Sequence, residues 1–186
     1  TGLDQSNFQV YDDKVEQKIE SFSNEDAPIS VGMVFDTSGS MSDKIQKSKQ
    51  AALQFFKTSN PQDEFMLINF GERPNLISGF TSKFENLQDR LLFVKSGGKT
   101  ALLDAIYLAL HEMRKATTSR KALLVISDGG DNHSRYTEND VRKAIKESDV
   151  QIYAIGEEGK LGYGRSEIQN IVSMTGGRAF FPNSLS

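Results

Sequence analysis

The chain contains no cysteine. That excludes disulfides, thiolate zinc sites, iron–sulfur clusters and cysteine nucleophiles, and it leaves the redox compartment open. Histidine is nearly as scarce. His111 and His133 are the only two among 186 residues, too few for a poly-histidine metal site. No apolar run approaches the roughly 20 residues that a membrane helix needs, so no membrane span is expected in this chain. An excess of one charge is also lacking. The formal net charge of −3 gives no general pull toward nucleic acid. Internal repeats and low-complexity stretches are absent from the sequence. What is there is 37% apolar and 25% charged residues, over a length that suits one domain with a sizeable core. The chain opens at Thr1 without a methionine or a signal peptide and is expected to be a segment of a longer protein.

Periodicity divides the chain. Residues 7–12 (NFQVYD) and 15–22 (VEQKIESF) alternate apolar and polar around Asp12, Asp13 and Lys14, which predicts a short β-hairpin with one buried face. A polar linker, SNEDAP, follows. We expect residues 1–26 to form the hairpin and linker and residues 27–186 the main domain. From residue 29 the texture changes. The nearly continuous apolar run ISVGMVFD reads as a strand buried on both faces. Helical spacing over residues 43–58 puts Ile45, Ala52, Phe55 and Phe56 on one side. Residues 63–70 read as a strand, and residues 75–80 as a shorter one close behind, antiparallel at an edge. Ser82 with Glu85, Thr137 with Asp140, and Ser166 with Gln169 predict three helix caps. Leu103, Ile106, Leu110 and Met113 mark a strong helix between the first two of these. Residues 121–127, 150–156 and 178–181 complete six strands. Strands alternating with helices predict a doubly wound α/β fold: a mostly parallel six-stranded sheet, one antiparallel edge strand and helices on both faces.

In such sheets ligands sit beyond the carboxyl ends of the strands, where the strand order reverses. Three loops there carry chemistry. The first buried strand ends in Asp36-Thr37-Ser38-Gly39-Ser40-Met41, the loop before the strongest helix ends in Gly98-Lys99-Thr100, and residues 128–131 read Asp-Gly-Gly-Asp. These loops offer carboxylates and hydroxyls with no nitrogen or sulfur, a donor set for Mg²⁺, Mn²⁺ or Ca²⁺ rather than Zn²⁺ or Cu²⁺. Taken singly, each of these residues reads equally well as a helix cap. Asp43 and Asp131 read as acidity around the site that attracts cations, and Lys99 as a solvated surface lysine.

The pattern Asp-x-Ser-x-Ser at 36–40, Thr100 before Ala-Leu-x-Asp-Ala, and Ser-Asp-Gly at 127–129 resembles the three parts of the metal-ion-dependent adhesion site of the von Willebrand factor type A (vWA) domain. The hairpin and linker resemble the segment before this domain in bacterial von Willebrand factor A-related proteins. The resemblance runs from about Ala27 to Phe181 and implies the Rossmann-like vWA fold. It also implies a single divalent cation, most simply Mg²⁺ with Mn²⁺ or Ca²⁺ as substitutes, at Asp36, Ser38, Ser40, Thr100 and Asp128. Ser38 and Ser40 would coordinate directly, Thr100 directly in ligand-bound forms and through water otherwise, and Asp36 and Asp128 through water. The implied partner is a protein offering an Asp or Glu carboxylate to the open coordination position. The implied location is extracellular, periplasmic or at the cell surface, with intracellular relatives also known. One departure stands out. These domains usually end in a helix after the last strand, and only residues 182–186 remain here, so that helix is missing or lies beyond the end of this sequence, and the resemblance leaves open whether the site switches by its movement.

Competing readings are an assembly role, in which the site clamps a neighbouring domain or subunit, and a metal-assisted hydrolase. The second lacks its motifs. There is no Gly-x-Ser-x-Gly elbow around Ser38 or Ser40, and no residue reads as a general base, so no enzyme is expected. Gly98-Lys99-Thr100 imitates the end of a phosphate-binding loop, but Phe93 stands where that motif needs glycine. The glycines of GEEGKLGYG, residues 156–164, are spaced as a connector rather than a dinucleotide fingerprint. Asn132-His133-Ser134 fits an N-glycosylation sequon, a pattern short enough to arise by chance.

Overall fold

Side chains alternate across the first long strand, β3 (Ile29–Asp36), when the elements are numbered in chain order. Val31, Met33 and Phe35 belong to one apolar cluster and Val34 to another. A strand that is apolar on both faces needs cover on both, and the chain supplies it in two layers. The computed structural model describes residues 3–20, 22, 27–128, 130–156 and 163–182. Before β3 lie two short strands, β1 (Val10–Asp12) and β2 (Val15–Gln17), which pair antiparallel. After it come α1 (Ile45–Lys57), β4 (Glu64–Phe70), β5 (Pro74–Thr81), α2 (Phe84–Leu92), α3 (Leu102–Glu112), β6 (Arg120–Ile126), α4 (Glu138–Lys146), β7 (Val150–Ile155), α5 (Tyr163–Ser173) and β8 (Ala179–Phe180).

The sheet runs β5-β4-β3-β6-β7-β8, with every pair parallel except β4 with β5. This is the expected fold, with its antiparallel strand at the edge. The chain builds outward from β3 to β4 and β5, then returns to place β6 on the other side of β3. The order therefore reverses between β3 and β6, and the carboxyl ends of those two strands frame the crevice where such folds bind ligands. One face carries α3, α4 and α5 over Val34, Ile68, Phe70, Val125 and Ile152. The other carries α1 and α2 over Met33, Phe35, Leu67 and Ile126.

Four expectations need correction. The hairpin forms, with Asp13 and Lys14 at positive φ as its tight turn requires, but all six strand residues are exposed and no face is buried. Two three-residue strands are too short to build a core, and the hairpin's aromatic contact, Phe8 on Phe22 at 5.3 Å, is itself exposed. Phe55 is not a core residue of α1. It is 38% exposed and lines a groove of about 370 Å³ with Ile29, Leu124 and Tyr153, and Ser48 and Lys49 take inward positions instead. Of the three caps, Thr137 with Asp140 forms the full reciprocal box. Ser82 does not cap α2, whose N-cap is Lys83, and Ser166 and Gln169 lie inside α5 because that helix starts at Tyr163. The connector over residues 157–162 lies outside the described residues, as does Gly129.

Candidate metal centre

β3 delivers Asp36 to the switch point as its last residue, fully buried. The chain then leaves the strand in a 3-10 turn, Gly39–Met41, with Ser38 in extended backbone ahead of it. That extended step lets the Ser38 amide donate back to Oδ1 of Asp36 at 2.7 Å. Just past the end of the neighbouring strand β6, Ser127 donates its hydroxyl to Oδ2 at 2.5 Å. Burial pushes the Asp36 carboxyl above its ordinary range, the two serines pull it back, and the charge of Asp128 adds to the rise.

The two candidate hydroxyl ligands face each other, with Ser38 Oγ 3.1 Å from Ser40 Oγ. Ser40 also donates to Oδ1 of Asp128 at 2.8 Å. With its proton committed to Asp128, the Ser40 oxygen keeps a lone pair for another partner. Four of the five candidates, Asp36, Ser38, Ser40 and Asp128, are thus joined in one cluster.

Thr100 is placed differently. It is buried, and its loop docks by backbone: Gly39 N donates to Gly98 O at 3.0 Å, Gly97 N to Thr37 O at 2.8 Å, and Ala101 N to Gly71 O at 2.8 Å. The close approach excludes side chains. A Cβ on Gly71 would lie 3.0 Å from Gly97 O, and Gly98 has a φ of +80°, open to glycine. Among the described residues the Thr100 hydroxyl makes no hydrogen bond to the other four.

Three residues that hold this centre were missed or misread in the sequence. Lys44, at the N-cap of α1, places Nζ 2.8 Å from Oδ2 of Asp128. A lysine one helical turn past an Asp-x-Ser-x-Ser loop was the available signal. Asn132 brackets Thr100, accepting from its amide at 2.9 Å and donating its own amide to its carbonyl at 2.9 Å. Asp131 does more than add acidity near the site. Its carboxylate takes the amide of Leu103 in the first turn of α3 and both the amide and the hydroxyl of Ser134, which pins the loop after β6 onto α3. Asp43 and Lys99 are exposed, as expected. Among the described residues no three His, Asp or Glu side chains converge into a metal-binding group. Any cation here would rest chiefly on hydroxyls.

A family model described as the von Willebrand factor type A domain matches residues 31–130. Human inter-alpha-trypsin inhibitor heavy chain H4 is 28% identical over 135 residues, which is 63% of this chain and 14% of that protein. The mouse heavy chain 4 is 27% identical over 129 residues, again 14% of its length, so this chain spans a small part of either relative. Among solved structures, a von Willebrand factor type A protein from Catenulispora acidiphila superposes with a TM-score of 0.74 at 17% identity, over 84% of this chain and 39% of that one. BatB from Bacteroides thetaiotaomicron superposes at 0.69 and 18% identity, over 84% and 91% of the two chains. The type V pili tip protein Mfa5 from Porphyromonas gingivalis does so at 0.69 and 13% identity, over 85% and 48%. At these identities the structures establish the shared fold.

Proposed function

Because this chain belongs to the von Willebrand factor type A domain family, whose members commonly mediate protein–protein interaction, we propose that it is a cation-dependent binding module. It would hold one divalent ion, Mg²⁺ in the simplest case, at Ser38, Ser40 and Thr100, with Asp36 and Asp128 behind them. The ion would supply an electrophilic open position that accepts an Asp or Glu carboxylate from a protein partner. No helix among the described residues is long and apolar enough to cross a membrane. Following the family resemblance, we place the partner outside the cell or at its surface.

The observation that carries this reading is the pair of serine hydroxyls. Their oxygens stand 3.1 Å apart. Two adjacent ligands of an octahedral ion with bonds of about 2.0–2.1 Å are separated by about 2.9 Å, and the pentagonal ligand ring common for Ca²⁺ brings oxygens about as close, so the spacing suits one divalent ion without choosing among Mg²⁺, Mn²⁺ and Ca²⁺. Neutral hydroxyls leave its charge poorly quenched, and this favours uptake of an external carboxylate. The same geometry argues for binding over catalysis. Asp36 is engaged by Ser38 and Ser127, and Asp128 by Ser40 and Lys44, so neither carboxylate stands open as a general base. His133 serves through its backbone, donating to Thr100 O at 3.1 Å.

The test is calorimetric titration of Mg²⁺, Mn²⁺ and Ca²⁺ into chelator-stripped protein, with and without acetate, beside Asp36→Ala and Thr100→Ala. A single saturable site in the wild type, strengthened by acetate and lost in both variants, supports the reading. Absence of binding in every condition, or a site unchanged in the variants, overturns it.

A further inference from the structure

Asp128 already carries a cation of its own. Nζ of Lys44 sits 2.8 Å from Oδ2 while Ser40 occupies Oδ1. The pair is poorly hydrated: the Asp128 side chain is 3% exposed and that of Lys44 25%. The crevice beside them, lined in part by Met41, Ser48, Ile126 and Gly156, offers about 10 Å³, the lower limit for a single water. The lysine backbone is fixed as well, with its amide on Met41 O at 2.9 Å and its carbonyl accepting from Ser48 at 3.0 Å.

We propose that Lys44 is an internal competitor of the divalent cation, which makes tight cation binding depend on the partner's carboxylate. This rests on the cation site proposed above. The reasoning is one of charge. With the ion bound, Asp36 and Asp128 contribute two negative charges and Lys44 one positive, so a divalent ion leaves the centre with one positive charge in excess. That excess sits in a largely buried place, within a Debye length and weakly screened. A carboxylate entering from a partner cancels it. Without the ion, Lys44 keeps Asp128 charge-paired, and the other buried carboxylate, Asp36, is held by hydrogen bonds from Ser38 and Ser127, so the empty centre keeps its shape. A centre lacking Lys44 is neutral with the ion alone and has less need of the partner.

The experiment follows Mn²⁺ binding by electron paramagnetic resonance in the chelator-stripped chain. It compares wild type, Lys44→Met, Lys44→Gln and Asp36→Ala, each with and without acetate. The expected result is Mn²⁺ binding about 10-fold tighter in the Lys44 variants, in the range typical of coupling between two sites, with a smaller gain from acetate than the wild type shows. Mg²⁺ should also raise the melting temperature of the Lys44 variants more than that of the wild type, since only they leave Asp128 unpaired. If a variant fails to fold, the wild type still decides. In nitrogen-15 correlation spectra the Lys44 ammonium signal should shift as Mg²⁺ saturates the site. Equal or weaker Mn²⁺ binding in folded Lys44 variants, or an ammonium signal indifferent to Mg²⁺, overturns this inference while leaving the cation site standing. No Mn²⁺ binding in wild type or Lys44 variants, with or without acetate, overturns both.

Discussion

Asn132 holds Thr100 at both ends of its residue: the side-chain oxygen accepts the Thr100 amide at 2.9 Å, and the Asn132 amide donates to the Thr100 carbonyl at 2.9 Å. Thr100 therefore owes its position to a residue 32 positions away. The loop after β6 is in turn pinned by Asp131 and by Glu167, whose carboxylate accepts the Asp131 amide at 2.7 Å.

Removing that side-chain bond isolates its effect. Asn132→Ala should cost about 1 kcal/mol of stability, the usual net value of one hydrogen bond. It should also weaken Mn²⁺ binding, because the loop carrying Thr100 loses one anchor. Asn132→Asp, which keeps the acceptor, should retain most of both. Chemical denaturation and Mn²⁺ titration of the two variants check this. Unchanged cation affinity in the folded alanine variant would detach Thr100 from the cation.

Much of this architecture can be read from local pattern. The alternation of Val31, Met33 and Phe35 against Val34 fixes β3, and the strand–helix rhythm fixes the doubly wound order. The misses have a common origin in context. Ser82, Thr137 and Ser166 carry the same cap spacing, yet only Thr137 sits in extended backbone directly before a helix. The hairpin's alternation is genuine, but alternation says nothing about whether anything covers the strands. At the candidate centre, the five nominated residues lie in three short motifs and are visible in the sequence. Their supports are not. Lys44 reaches Asp128 across 84 positions and Ser127 reaches Asp36 across 91, distances that only the closed sheet brings together.

Lys49 links the two helices of one face to the loop below Thr100. Its Nζ, almost fully buried, donates to Leu92 O at 2.9 Å and Val94 O at 2.6 Å, satisfying carbonyls at the end of α2. Burial holds its pKa below the ordinary lysine value. Lys49→Met keeps the apolar stem and strands both carbonyls, so a loss of about 1–3 kcal/mol is expected. Hydrogen exchange should quicken over residues 94–100 more than in the core strands, and a mass-spectrometric exchange comparison reads this directly.

Acid stability should depend on Glu64, at the opposite end of the sheet from the candidate centre. Partial burial pushes its carboxyl up. Hydrogen bonds to Oε1 from Ser30 Oγ at 2.6 Å and the Thr117 amide at 2.7 Å outweigh that, and the net folded value lies below the ordinary 4.5. The unfolded chain therefore binds more protons in the window between the two values. The stabilisation is present above about pH 4.5 and is lost as pH falls through the folded value. Glu64→Gln retains the acceptor oxygen and removes the titration. Its stability should fall less steeply than that of the wild type below about pH 4.5. Denaturant midpoints measured for both proteins across that window in chelator give the difference, and parallel curves would remove Glu64 from the account.

The last strand depends on an absent side chain. A Cβ on Gly177 would lie 1.9 Å from the carbonyl oxygen of Ile152 and 2.8 Å from its carbon. Both are backbone atoms of β7, which pairs with β6 through Leu123 and Ile152 and also donates the Ile152 amide to Thr175 Oγ1 at 2.9 Å. β7 cannot retreat without breaking its pairing with β6, so the turn between α5 and β8 must move instead, disturbing the Thr175 bond with it. Gly177→Ala should therefore cost about 3 kcal/mol, the upper end of ordinary overpacking, and loosen the β7–β8 pairing of Ala154 with Ala179. Gly79, in the edge strand β5, is the matched control. A Cβ there meets nothing within 4 Å, and Gly79→Ala should stay within about 0.5 kcal/mol of wild type. Denaturation of the two variants side by side separates a steric requirement at Gly177 from a general sensitivity of the sheet to replacing glycine. Equal losses at both positions would mean that backbone freedom, and not the contact with Ile152, is what Gly177 supplies.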